Sequence, residues 1–296
     1  MKKLFLMLMI FSVALFAQEK KKVLYFTHEP GKYHKYTPQK EIFIKLAEKA
    51  GWDLTVSTGM HDPQILALRN PELTKGFDAV VYNYCFASSA DLQAVANVIS
   101  QTRDNGTPAM LIHCSMHSFW PTYKQGKEGA LGADYKGKAL ADPKLVEEWN
   151  KMNTGKPFPA WGDFTGVAST KHGPKVPITV TKCCEHESTK SLAKEGFTTV
   201  NAELYNNFYV IESVKPILKG EQVTYSKKIQ KKADSGKELT EEEKKSAKKE
   251  SAIVMWEVVQ GKGKVLGLTL GHGEGEWNQV EFQNLIIDGV NYLMKK

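Results

Sequence analysis

The sequence predicts an α/β fold: a flavodoxin-like, doubly wound and mainly parallel sheet with helices on both faces. Short apolar runs rich in Val, Ile, Leu and aromatic residues recur along the chain, as strands buried on both faces require. Between them lie segments whose apolar residues repeat at helical spacing. Strands that alternate with helices imply βαβ crossovers and parallel pairing.

The elements follow in order. Val23 to Thr27 (VLYFT) reads as the first buried strand. After a glycine-containing loop, Thr37 and Pro38 supply a cap and a first-turn proline. In the helix that follows, Ile42, Leu46, Ala47 and Ala50 form the apolar stripe, and Gly51 ends it. Asp53 to Ser57 is the second strand and Asp78 to Tyr82 the third. Ser88 or Ser89 opens a helix that buries Leu92, Val95, Ala96 and Ile99, with Gly106 in the turn beyond. Ala109 to His113 makes the fourth strand, and Val265 to Leu270 a late one that feeds a C-terminal helix around Val280 to Leu293.

Two segments depart from this rhythm. Residues from about 120 to 175 are rich in Gly, Pro, Lys and Trp, and read as an elaborated loop over the strand ends. Residues 226–249 are rich in Lys and Glu. There Thr240 and Glu243 form a capping box and Glu241 can pair with Lys245, which makes a solvated helical hairpin. With these two inserts, residues 18–296 read as one domain.

The first 17 residues read as a secretory signal peptide. Lys2 and Lys3 precede an apolar stretch from Leu4 to Phe16, and Ala17 is a small residue at the cleavage position. The apolar run is shorter than the roughly 18–20 residues needed to span a bilayer. The mature protein is therefore expected to be exported, periplasmic or extracellular, without stable membrane insertion.

The formal charge is +7, but the excess is not a basic cleft. Lys219 to Glu250 alone hold ten lysines against seven acids. Arg and Lys interleaved with aromatics along a groove are absent, so a nucleic-acid role is not expected. Neither GxGxxG after a strand nor GxxxxGK[ST] occurs, so no nucleotide cofactor is expected. No CxxC unit or paired Cys/His spacing of a structural zinc module is present. Four cysteines allow three disulfide pairings. Cys183 and Cys184 are adjacent, whereas Cys85 and Cys114 each end a predicted strand and are candidates for near neighbours.

Five of the eight histidines, His28, His34, His113, His117 and His272, stand on or just after the predicted strands. Ligands of open parallel sheets bind beyond the carboxyl ends of the strands. Taken singly, each histidine reads better as a strand-end group bonded to a nearby carbonyl. Their shared position favours a polar pocket.

Within that pocket, His113, His117 and His272 are a candidate set for a divalent metal such as zinc, with Glu203 or His34 as a further donor. Gly271 and Gly273 flank His272 and fit a ligand-facing turn. Glu203 and Tyr205 face one side if Asn201 to Asn206 is extended. Cys114 is an alternative nucleophile with a nearby histidine as base and Glu203 as orienter. The strained turn that displays such a nucleophile has small residues two positions to either side, whereas Cys114 has Ile112 and Met116.

Five segments, VLYFTHEPGKYHKYTP, FDAVVYNYC, AMLIHCSMHSFW, AELYNNFYVI and WEVVQGKGKVLGLTLGH, occur in this order. Together they resemble the trehalose-utilisation (ThuA-like) family of the class I glutamine-amidotransferase-like superfamily. His172 in KHGP and His186 in CEHES are similar to two further family histidines, although Glu187 stands where the family usually has proline. The glutaminase relatives carry a cysteine in a G-I-C-x-G-H pattern. Here the strand reads L-I-H-C-S-M-H, so His113 takes the nucleophile's place, and the resemblance argues against glutamine hydrolysis.

What the resemblance implies is a small-molecule carbohydrate ligand, including oxidised (keto) sugars or glycosides. The combined expectation is a sugar site with His113, His272 and Glu203 as catalytic groups and His34, His117, Tyr205 and His172 as binding groups. A non-catalytic carbohydrate-binding protein is the alternative.

Overall fold

The computed structural model describes residues 19–123 and 141–295. The expected signal peptide, residues 1–17, lies outside them. The chain begins β1 (Lys22–Thr27), α1 (Tyr36–Ala50), β2 (Asp53–Ser57), α2 (His61–Ala67), β3 (Ala79–Asn83), α3 (Leu92–Arg103) and β4 (Ala109–Ile112). After residue 140 come α4 (Pro143–Met152), α5 (Trp161–Thr165), β5 (Val167–Ala168), β6 (His172–Val176), β7 (Ile178–Lys182), β8 (Phe197–Thr198), β9 (Ala202–Tyr205) and β10 (Tyr209–Val210). The remainder is β11 (Lys215–Thr224), α6 (Lys227–Asp234), α7 (Glu241–Lys245), β12 (Lys248–Gln260), β13 (Gly263–Leu268), α8 (Glu274–Trp277) and α9 (Val280–Leu293).

One sheet runs β2-β1-β3-β4-β13-β12-β11-β7-β8. Its first five strands pair in parallel and have the doubly wound order, with the switch point between β1 and β3. Because side chains alternate across a strand, Val23, Tyr25, Val81, Met110 and Leu266 pack with α1 and α9. Leu24, Phe26, Val80, Leu111 and Val265 pack with α3 and α5 on the other face. The expected α/β architecture is present, with helices on both faces. An antiparallel extension through β12, β11, β7 and β8 is added to it.

Helix boundaries differ slightly from expectation. Helix α1 starts at Tyr36 without a side-chain cap, so Thr37 lies inside its first turn. Asp91, not Ser88 or Ser89, caps α3: its carboxylate accepts the Ala94 N–H at 3.0 Å and is also held by Arg69. Gly51 ends α1 with φ 73°, a conformation that favours glycine.

Of the region from 120 to 175, residues 124–140 lie outside the described residues, and the described part after them forms α4, α5, β5 and the start of β6. Trp161 of α5 is fully buried and its indole N–H donates to Ser115 O at 3.1 Å. The Lys/Glu-rich insert forms α6 and α7, neither of which buries a residue. It joins β11 and β12 where they pair as far as Thr224 opposite Lys248. The Thr240–Glu243 capping box is formed, whereas Glu241 pairs with Lys244 in place of Lys245.

Candidate active site

Strands β1, β3, β4 and β13 all end on one edge, where His34, His113 and His272 meet. His113 is the first residue beyond β4 and takes φ 49°, a costly conformation for a bulky side chain. It turns the ring toward β13, where Nδ1 donates to Thr269 O at 2.6 Å. With the proton on Nδ1, the neutral ring presents the Nε2 lone pair. That buried nitrogen has no hydrogen-bond partner.

His272 follows β13 on a turn that needs glycine. Gly271 has φ 107°, and a Cβ there would come within 2.8 Å of the Phe282 ring. The buried Glu276 carboxylate accepts the N–H groups of Gly271 at 2.9 Å and His272 at 2.8 Å. Gln39 Nε2 donates to His272 O at 3.2 Å. These bonds fix the backbone that carries the imidazole.

His34, in the loop between β1 and α1, completes the group. Its ring stands edge-on to His113 and to His272, with centroids 4.9 Å away in both cases. One ligand nitrogen from each of His34, His113 and His272 lies within 4.8 Å of the other two. Burial, then the neighbouring His113 and His272, push the His34 ring down to about 2. It is therefore a neutral imidazole at ordinary pH, the form that ligates metal.

Glu203 on β9 reaches two of these three histidines, together with His172 and Lys175. Its carboxylate oxygens lie 3.5 Å from His113 Nε2, 3.3 Å from His272 Nδ1, 3.5 Å from His172 Nε2 and 3.3 Å from Lys175 Nζ. Burial pushes the carboxyl up, whereas the facing His113 and His272 rings, when protonated, hold it well below the usual carboxylate range. Glu203 is thus a buried anion.

The chain matches the family model described as ThuA, trehalose utilisation, over residues 22–293. It belongs to the ThuA family. The matched span contains the three histidines and Glu203. A ThuA-like protein from Bacteroides uniformis is similar in structure, with 15% identity, 95% of this chain and 94% of that one covered, and a TM-score of 0.58. One from Parabacteroides merdae has 14% identity, 94% and 91% coverage and a TM-score of 0.56. A cytoplasmic protein from Salmonella typhimurium has 9% identity, 93% and 100% coverage and a TM-score of 0.52. At such identities these likenesses show the fold alone. No curated protein matches the sequence.

In this ThuA-family chain, His34 stands where the sequence reading put His117 in the metal set. His117 lies four residues beyond His113 and is bonded away from the group: its Nε2 is 2.8 Å from Ser169 Oγ. Its ring stacks on Tyr205 at 3.8 Å and 9°. That contact occupies one face of Tyr205, which is buried and supports His113 from 4.8 Å instead of presenting a stacking platform.

His172 does reach the site, on its exposed rim. His28 sits to one side, where its Nε2 accepts the Cys85 N–H at 3.3 Å. His186 is remote and packs on Tyr292 at 4.6 Å. The Cys114 sulfur is bonded to Cys85, with Cα atoms 5.1 Å apart, so no thiolate is available for attack and the nucleophile reading is set aside. A cleft of about 450 Å³ between α3, α4 and α5 contains none of these groups.

The sequence reading did not identify Lys175, Gln39 or Glu276. Lys175 pairs in register with Glu203 across β6 and β9, and its ammonium is 2.7 Å from His272 Nε2. A cation already rests against the imidazole and carboxylate. The donor set fits a divalent metal: three imidazoles, each with an unpartnered nitrogen, beside one carboxylate.

Proposed function

We propose that this protein acts on an oxidised (keto) sugar or keto-glycoside, with a divalent metal such as zinc held by His34, His113 and His272 and with Glu203 as the proton acceptor. One observation carries the reading: three imidazoles converge at the strand ends beside a buried carboxylate that stays ionised. Family membership supports a carbohydrate ligand.

The metal, when bound, supplies a Lewis acid that polarises a sugar oxygen. The bond from His113 to Thr269 keeps Nε2 aimed at the site, since a hydrogen bond at one ring nitrogen sets the role of the other. An ionised carboxylate can accept a proton, and Glu203 takes one from the carbon next to the sugar carbonyl. Lys175 and His172, on the exposed rim, donate hydrogen bonds to sugar hydroxyls. Tyr205 and His117 close the inner wall against water.

Incubation of the metal-loaded protein with a keto-glycoside in heavy water tests this reading. Deuterium should enter the carbon beside the carbonyl, and Glu203→Gln should abolish the exchange. Binding without exchange or turnover would favour the non-catalytic carbohydrate-binding reading. We further propose export with cleavage after Ala17. Mass spectrometry of the mature protein should find Gln18 at the N-terminus, and an intact Met1 on protein recovered from the cell envelope would contradict it.

A further inference from the structure

His34 faces two clusters. Besides its approach to His113 and His272, it lies beside Cys85 and Cys114, and one ligand atom from each of these three residues falls within 4.8 Å of the others. The cysteines stand two residues past the ends of β3 and β4. Strand pairing therefore sets their separation, and the Cys85 N–H is anchored on His28. Tyr36 clusters with the two cysteines, and Cys85, Cys114, His34 and Tyr36 are all buried. His34 Nδ1 and the Tyr36 hydroxyl make no hydrogen bond within the protein, which leaves the His34 nitrogen free to act as a donor to a metal.

We propose that, once the Cys85–Cys114 bond is reduced, the two thiolates and His34 form a second metal site, selective for copper(I). Soft thiolate donors select copper(I) or zinc. Zinc in a structural site takes four ligands, whereas three donors beside Tyr36 suit the lower coordination of copper(I). A water-soluble phosphine can carry out the reduction. The S–S bond breaks, the phosphorus is oxidised to its oxide with oxygen from water, and the two protons of that water go to the sulfurs. Metal binding then releases the thiol protons to solvent. The site does not depend on the proposed zinc centre, although both use His34.

The test uses the mature chain with Cys183→Ser and Cys184→Ser, because those exposed free thiols would compete for copper. Protein reduced with the phosphine and desalted without oxygen is titrated with copper(I) against a coloured copper(I) chelator. One equivalent should bind, with a thiolate-to-copper absorption band in the ultraviolet, and the unreduced protein should bind at least 10-fold more weakly. Cys85→Ser should remove the band, and His34→Ala should weaken binding 10-fold or more. His272→Ala should leave copper binding unchanged, which separates this site from the zinc centre. Failure to take copper from the chelator, undiminished binding in Cys85→Ser or His34→Ala, or loss of cooperative thermal unfolding on reduction would each overturn the proposal. Failure of the unreduced protein to bind zinc would sink only the earlier reading.

Discussion

His113 donates its Nδ1–H to the carbonyl oxygen of Thr269 at 2.6 Å, tying the residue after β4 to the residue after β13. One bond joins the ends of two neighbouring parallel strands and selects the ring tautomer. The left-handed backbone at His113 makes it possible. A strand that continued straight would carry the side chain past the site.

Replacing Glu203 by Gln keeps the shape and removes the charge. Turnover of a keto-sugar should fall about 10²-fold or more, the usual share of a positioned base, and zinc affinity about 10- to 100-fold. Steady-state kinetics and metal titration check both. Near-normal turnover in Glu203→Gln would mean that the carboxylate is not the proton acceptor.

Lys175 competes with a metal for His272 and Glu203. Lys175→Met should therefore tighten zinc binding by about 3- to 10-fold, a modest gain because the lysine is half exposed and screened. Its KM for a keto-sugar should rise, since a rim donor is lost. Calorimetric zinc titration decides this, and weaker zinc binding in the variant would show that Lys175 supports the site.

The parallel half of the sheet and the strand-end histidines were legible because buried strands carry continuous apolar runs and parallel topology brings their carboxyl ends together. His113 and His272 could be named from that alone, whereas Glu203, on a strand outside the parallel sheet, needed the family resemblance. Lys175 could not, since β6 is short, largely exposed and embedded in a Gly/Pro/Lys-rich stretch that reads as loop. Strand β11 alternates buried and exposed residues from Leu218 onward, but its Lys and Glu residues merge with the charged hairpin and hide the period. The exchange of His117 for His34 turns on the backbone at His113 and on Ser169, 52 residues further along the chain, and no local pattern reports either.

Stability of the metal-free protein should fall in mild acid. Burial, then the nearby His61, push the His28 ring from 6.5 down to about 4, so the folded state keeps it neutral where the unfolded chain takes a proton. Between about pH 6.5 and 4 the unfolded state therefore binds one more proton, and stability is lost as pH drops through that window. The full slope is about 1.4 kcal/mol per pH unit for one such histidine, and His34 and His117 act in the same direction. Urea unfolding at several pH values should show a slope shallower by about one proton in His28→Asn; an unchanged slope would assign the loss elsewhere.

Deletion of residues 226–247 with a short turn joining β11 to β12 should leave the fold intact. Neither helix of the hairpin buries a residue, and loop length costs only about 0.6 kcal/mol per doubling. Thermal unfolding should stay cooperative with a midpoint within a few degrees of the parent. Loss of cooperativity would show that the hairpin supports the ribbon beneath it.

Zinc titration by calorimetry of the unreduced mature protein, combined with a double-mutant cycle on His113 and His272, tests the metal centre most directly. One equivalent should bind to the parent. His113→Ala and His272→Ala should each weaken binding steeply with little loss of thermal stability, and their effects should be non-additive, because residues that share a partner couple. No zinc binding, or strictly additive losses accompanied by destabilisation, would mean that the two histidines are separate strand-end caps and that the site holds no metal.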